Sequence, residues 1–158
     1  MGQRPLPWSA SCFVCGDENI KGLNAKFQVD DEGRVSLETT VDQGFEGFGG
    51  HVHGGVVTAL LDEAAGWAVM HAAKRLCMTV EITVRFRRPV PGGSMVRVVA
   101  EPLEAEGRFH CARAEMSDAS GKLMASAVGK FVTVPEEMNA QVIPLLRMPG
   151  RPAEPTDI

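Results

Sequence analysis

The stretch "HGGVVTALLDEAAGW", residues 53–67, decides how the rest of the chain is read. Val56, Val57, Ala59, Leu60, Leu61, Ala64, Ala65 and Trp67, continued by Ala68, Val69 and Met70, cover nearly every direction of a helix. A helix lying on one face of a sheet needs only one apolar stripe, so this one is surrounded. Its predicted span is about His53 to Leu76. Asp62 and Glu63 are the only charged residues between His53 and His71. Neighbours on a helix point about 100° apart, so one carboxylate can face a cavity while the other faces solvent or an edge. An ionised carboxylate in apolar surroundings requires a partner. The helix opens on Gly54 and Gly55, whose bare backbone admits close approach of a ligand. Unpaired N–H groups and the positive end of the helix dipole make such a start an anion or oxyanion site. A tight entry turn is the plainer reading of Gly-Gly.

Strand-like segments flank the helix. "AKFQVDDEGRVSLETTV" reads as two strands about a "DDEG" turn, with Val35, Leu37, Thr39 and Val41 on one face. Residues 43–52, "QGFEGFGGHV", read as a glycine-rich loop with Phe45 and Phe48 as anchors. After the helix, Val80, Ile82, Val84 and Phe86 alternate with Thr79, Glu81, Thr83, Arg85 and Arg87. Three more strands follow, with turns at "EAEG" and "DASG" and a suspected bulge between Cys111 and Ala112. Short turns imply antiparallel pairing. The predicted organisation is an irregular leader over residues 1–24, one domain over 25–135 and a partly disordered tail over 136–158.

Composition narrows the function classes. The 158 residues suit one domain; 44% are hydrophobic and 23% charged. A net charge of −4 and the absence of tyrosine disfavour a nucleic-acid partner. The start "MGQRPLPWSAS" has no apolar core of a signal peptide, and the acids inside the helix disfavour a membrane span, so the expected location is cytoplasmic. "CFVC" is half of a zinc ribbon, but no second Cys-x-x-Cys follows, so the four cysteines are expected to be plain thiols with no metal.

Spacing adds a constraint on assembly. From His53 to Asp62 is nine residues, roughly 13 Å of helix rise. One chain's helix start and its own Asp62 cannot reach one small reacting centre. Two antiparallel copies of the helix can, which predicts a two-fold dimer if this is an active site.

"HVHGGVVTALLDEAAGWA" followed by "MTVEITVRFRRPVPGG" resembles the hotdog-fold acyl-CoA thioesterases, in particular the PaaI-type branch. "CFVCGDENIKGL" resembles a leader found in some members. The resemblance covers roughly residues 12–134 and implies an α+β hotdog fold, an antiparallel sheet wrapped around one long helix. It implies a dimer, often paired again into a tetramer, and an acyl-CoA substrate with no separate cofactor. Gly54, with Gly55, would polarise the thioester carbonyl. Asp62 of the opposite subunit would be general base or nucleophile, with Glu63 as the reserve acid. Thr79 would position water, and His53 would hold the loop or contact the carbonyl oxygen. Gly47 stands where relatives often carry Asn or Gln; it and Phe48 would border the substrate. Arg85, Arg87 and Arg88 would meet CoA phosphates, although alternating arginines on a strand equally suit a wet face. The competing readings are a hotdog hydratase or dehydratase, a non-catalytic acyl-CoA binding module and a zinc-ribbon interaction protein.

Overall fold

The computed structural model describes residues 2–158. In chain order the elements are β1 (Gln3–Pro5), β2 (Gln28–Asp30), β3 (Val35–Thr40), β4 (Glu46–Phe48), β5 (His51–Val52) and α1 (Gly54–Ala73). There follow β6 (Cys77–Phe86), β7 (Met95–Glu106), β8 (Phe109–Asp118), β9 (Leu123–Thr133), α2 (Glu136–Val142), β10 (Arg147–Met148) and β11 (Arg151–Pro152). Seven strands form one antiparallel sheet in the order β1-β2-β3-β7-β8-β9-β6.

The sheet packs on α1 through β3, β7, β8, β9 and β6. Six successive helix residues, Ala64 to Val69, are all buried. At 100° per residue that run covers the full circumference, so the middle of the helix is enclosed as its composition requires. Facing it are Val96, Val98, Ala100, Ala112, Ala114, Met116, Ala125, Ala127 and Phe131. The many alanines let the sheet approach closely. This is the predicted architecture: an antiparallel sheet around one long central helix. The helix stops at Ala73, earlier than predicted, because Lys74 adopts a left-handed conformation and its N–H closes on the Met70 carbonyl.

Four local features differ from the sequence reading. The leader contributes β1, which extends the sheet by pairing with β2. The predicted loop over 43–52 contains a small hairpin, β4 with β5; Phe45 packs on the core, but Phe48 is 85% exposed and anchors nothing within this chain. No bulge separates Cys111 from Ala112 in the β8–β9 ladder; the register shifts lie elsewhere, in β7 between Leu103 and Glu106 and in the β8–β9 pairing between Met116 and Ser117.

The fourth difference is the tail. Residues 136–158 fold onto the body despite their lack of periodicity. Ile143, Leu146, Ala153 and Ile158 are buried, and Asn139 accepts the Leu76 N–H at 2.9 Å. Trp8 and Arg147 exchange two backbone hydrogen bonds, so tail and leader hold each other. Arg151 grips Asp157 through two bonds of 2.7 and 2.8 Å. Scattered apolar residues between prolines and turns leave no periodic signal, yet each finds a place on the surface of the domain.

Candidate active site

The start of α1 forms the first half of the site. His53 is its N-cap: the ring Nδ1 accepts the Gly55 N–H at 2.9 Å, which requires the neutral ring with its proton on Nε2. The Gly55 donor is therefore occupied. The carbonyl of His53 takes the N–H groups of Val56 and Val57, and the His53 N–H is fixed to the Phe45 carbonyl. Among the described residues, Gly54 N–H alone has no partner in this turn. It is the donor that the macrodipole and the open backbone leave available.

Gly54 borders a depression of about 240 Å³ lined by Val52, Val57, Phe86, Arg87, Arg88 and Val90. Phe86 closes one side; its ring would lie 3.5 Å from a Cβ placed on Gly54. The strand pattern identifies Phe86 only as the last of the alternating apolar residues of β6. Its place beside Gly54 depends on how β6 and the helix start meet, which no local pattern carries. Gly47 lies against His53, where a Cβ would come within 3.2 Å of the His53 Cα. Any side chain there would press on the cap residue.

The second half lies further along α1. The Asp62 Oδ1 accepts a 2.9 Å hydrogen bond from the Thr79 hydroxyl. Strict alternation puts Thr79 on the wet face with Glu81 and Thr83. A bulge reverses this: Thr79 pairs with Phe131 and Glu81 with Lys130, which leaves Val80 as an extra residue. The inserted residue lets Thr79 and Ile82 both face the helix. Burial pushes the Asp62 carboxyl above its ordinary value, and the Thr79 hydroxyl draws it part of the way back.

Glu63 leaves the helix in another direction. Its Oε1 accepts the Trp67 indole N–H at 3.1 Å and stands 3.9 Å from the Cys12 sulfur. Burial first, and the negative charge at Cys12 next, push this carboxyl up to about 7. The hydrogen bond between Cys15 and Cys12 pulls Cys12 down to about 5 and pushes Cys15 up. Asp62 and Glu63 thus serve separate environments.

Arg85 and Arg87 are exposed and make no side-chain ion pair among the described residues, whereas Arg88 donates to the Leu123 carbonyl at 2.7 Å. Arg87 and Arg88 line the depression beside Gly54; Arg85 does not. Strand β6 is the last in the sheet, and Met78, Val80 and Phe86 along it are 60%, 55% and 58% exposed. No helix among the described residues is long and apolar enough to cross a membrane.

Comparison with known proteins places this geometry. Residues 49–125 match the model of the thioesterase superfamily. A Saccharolobus solfataricus protein provisionally named an esterase is 25% identical over 138 residues, covering 87% of this chain and 98% of that protein. A thioesterase superfamily protein of known crystal structure is 28% identical with a TM-score of 0.72; the match covers 78% of this chain and 60% of that one. The E. coli PaaI protein of the phenylacetic acid degradation operon shares the fold at 22% identity and TM-score 0.66, over 75% of this chain and 86% of its own. A hypothetical thioesterase of Streptococcus pneumoniae, solved with coenzyme A, does so at 14% identity and TM-score 0.62, over 68% and 88% of the two chains. With the hotdog architecture in common and its helix-start motif inside the matched span, the chain resembles the thioesterase superfamily through residues 49–125.

Proposed function

We propose that the protein is an acyl-CoA thioesterase of PaaI type that works as a homodimer, with sites made from both subunits. The observation that carries this reading is the division of labour along α1. An unpartnered N–H at Gly54 opens the helix beside an apolar depression, and an acid held by a hydroxyl at Asp62 lies eight residues on. Eight residues rise about 12 Å, so a second helix running the other way is needed to bring donor and acid to one carbonyl. The exposed apolar edge of β6 supports such pairing, since a long unpaired edge strand calls for cover.

In this reading the thioester oxygen sits on the Gly54 N–H, which stabilises the negative charge developing there. Asp62 of the partner subunit accepts a proton from water as the water oxygen attacks the carbonyl carbon. The carbon–sulfur bond then breaks, the proton passes to the departing thiolate, and a carboxylic acid and free CoA leave. Thr79 holds one oxygen of Asp62, so the other is free for the water. Direct attack by Asp62, through an acyl anhydride, uses the same geometry.

His53 supports this assignment over a hydratase, because its Nδ1 is committed to the cap. Gly47 offers no side chain to the substrate, so its part is to leave room beside His53. Phe48, exposed on the hairpin, is a candidate wall for the acyl group. Arg87 and Arg88, and Arg85 on the outer strand face, are candidates for the CoA phosphates. The S. pneumoniae protein's coenzyme A and the PaaI likeness agree with a CoA thioester as substrate.

The test is thiol release from a panel of acyl-CoAs, from acetyl to long-chain, with phenylacetyl and benzoyl included. Turnover that disappears in Asp62→Asn and persists in Glu63→Gln supports the assignment. No release from any thioester by folded, dimeric protein would sink it in favour of a binding module.

A further inference from the structure

The leader meets the central helix at a cluster that the thioesterase reading does not use. The Cys12 and Cys15 sulfurs and a Glu63 carboxylate oxygen all lie within 4.8 Å of one another. We infer that Cys12, Cys15 and Glu63 form a site for a thiophilic divalent cation of the zinc class, with water completing a tetrahedron, that fastens the leader to α1.

The geometry is close to what such an ion needs. Zinc–sulfur bonds of about 2.3 Å and zinc–oxygen bonds of about 2.0 Å put tetrahedral donors roughly 3.5–3.8 Å apart. The Cys12 sulfur stands 3.9 Å from Glu63 Oε1, close to that spacing. The loop is already shaped around the first sulfur. The N–H groups of Val14 and Cys15 point at it from 3.3 and 3.5 Å, and such donors favour thiolate as metal ligand. Gly16 completes the turn with its N–H on the Cys12 carbonyl at 3.1 Å. A Cβ on Gly16 would fall 2.4 to 2.7 Å from three backbone atoms, so only glycine permits this turn.

The third donor is oriented too. Trp67 Nε1 holds Glu63 Oε1 at 3.1 Å, the kind of outer contact that fixes a ligating carboxylate. Two sulfurs and one oxygen favour zinc over magnesium or calcium, which take oxygen alone. A divalent charge also offsets two thiolates and a carboxylate brought together at a half-buried junction. The expectation of metal-free thiols came from the absence of a second cysteine pair. Glu63, distant in sequence and presented by the helix, takes that place.

The site stands independently of the catalytic reading, and its test does not use turnover. The full chain, reduced and stripped with chelator, is titrated with Zn²⁺ and then with Co²⁺. The expected result is about one equivalent per chain, a thiolate-to-cobalt charge-transfer band and a raised melting temperature. Cys12→Ser and Cys15→Ser should abolish the band, and Glu63→Gln, which removes a direct ligand, should weaken binding by at least about tenfold while the far-ultraviolet dichroism is unchanged. If a serine variant fails to fold, alkylation of the wild type decides: bound Zn²⁺ should shield Cys12, the accessible sulfur of the pair, but not Cys77. Absence of the cobalt band in folded, reduced protein would overturn the inference. So would a bound ion indifferent to Cys12 and Cys15, or alkylation of Cys12 unchanged by Zn²⁺.

Discussion

Gly54→Ala separates the two roles of the helix start. Gly54 does not have positive φ, so alanine fits its backbone. The added Cβ would lie 3.5 Å from the Phe86 ring, an ordinary contact. Replacing glycine at a compatible position stabilises by about 0.4–1 kcal/mol through the unfolded chain. For a domain of this size that is a rise in Tm of about 1–4 °C. The same methyl group occupies the space between the free N–H and the phenyl ring, where the thioester oxygen is proposed to sit. Displacing the carbonyl by about 1 Å costs about 100-fold in rate. The variant should therefore be at least as stable as the wild type and about 100-fold slower. Gly55→Ala makes the contrast. Its Cβ would sit 3.0 Å from His53 Nδ1, disturbing the cap at about 1 kcal/mol and lowering Tm by about 2–4 °C. Calorimetry and thiol-release kinetics on both variants give the answer. Wild-type kcat/KM in Gly54→Ala would refute the placement of the carbonyl, and a lowered Tm would refute the backbone argument.

Other outcomes follow from the same contacts. Thr79→Ala removes the hydroxyl that holds Asp62 and should lower kcat about tenfold, as loss of about 1.4 kcal/mol implies, with recovery in Thr79→Ser. Val80→Lys puts a charge on the exposed edge of β6; on the proposed dimer, sedimentation should show dimer for the wild type and monomer for the variant, and turnover should vanish with the dimer. Asp157→Asn should lower Tm at pH 7. Arg151 holds the Asp157 carboxyl below its ordinary value, so its contribution exists above the unfolded pKa, about 3.9, and is lost as pH falls through the folded one. The wild type and variant should therefore converge in acid melts and stay apart at neutral pH.

The central helix was legible because its composition allows only one environment. Apolar residues in every direction demand enclosure, and short turns among the later strands leave an antiparallel wrapper as the means. The split between Asp62 and Glu63 was legible as a direction, since adjacent helix residues diverge, but their partners were not. Thr79 and Cys12 reach those acids across the fold, and each arrives by a local device without a strong signature. The bulge at Val80 occurs in "MTVEI", with no glycine to announce it. The loop at Cys12 carries Gly16, but the carboxylate that faces it comes from α1. The tail was misread for a related reason: Ile143, Leu146 and Ile158 are buried one at a time, against surface that exists only once the sheet has formed.

The extra residue in β6 also bears on how this strand tolerates change. Up to Thr79 the inward positions are odd-numbered; from Ile82 onward they are even-numbered. A complete substitution scan of residues 77–86 should therefore show a two-residue rhythm of tolerance whose phase inverts at Val80. Deleting Val80 would remove the bulge and join Thr79 to Glu81 in plain alternation, so Thr79 and Ile82 would both still face the helix and the rhythm would run unbroken. Proteins that share the helix motif but lack this residue would then keep the same hydroxyl opposite the acid, so the strand can vary in length here without changing the side chain that meets Asp62.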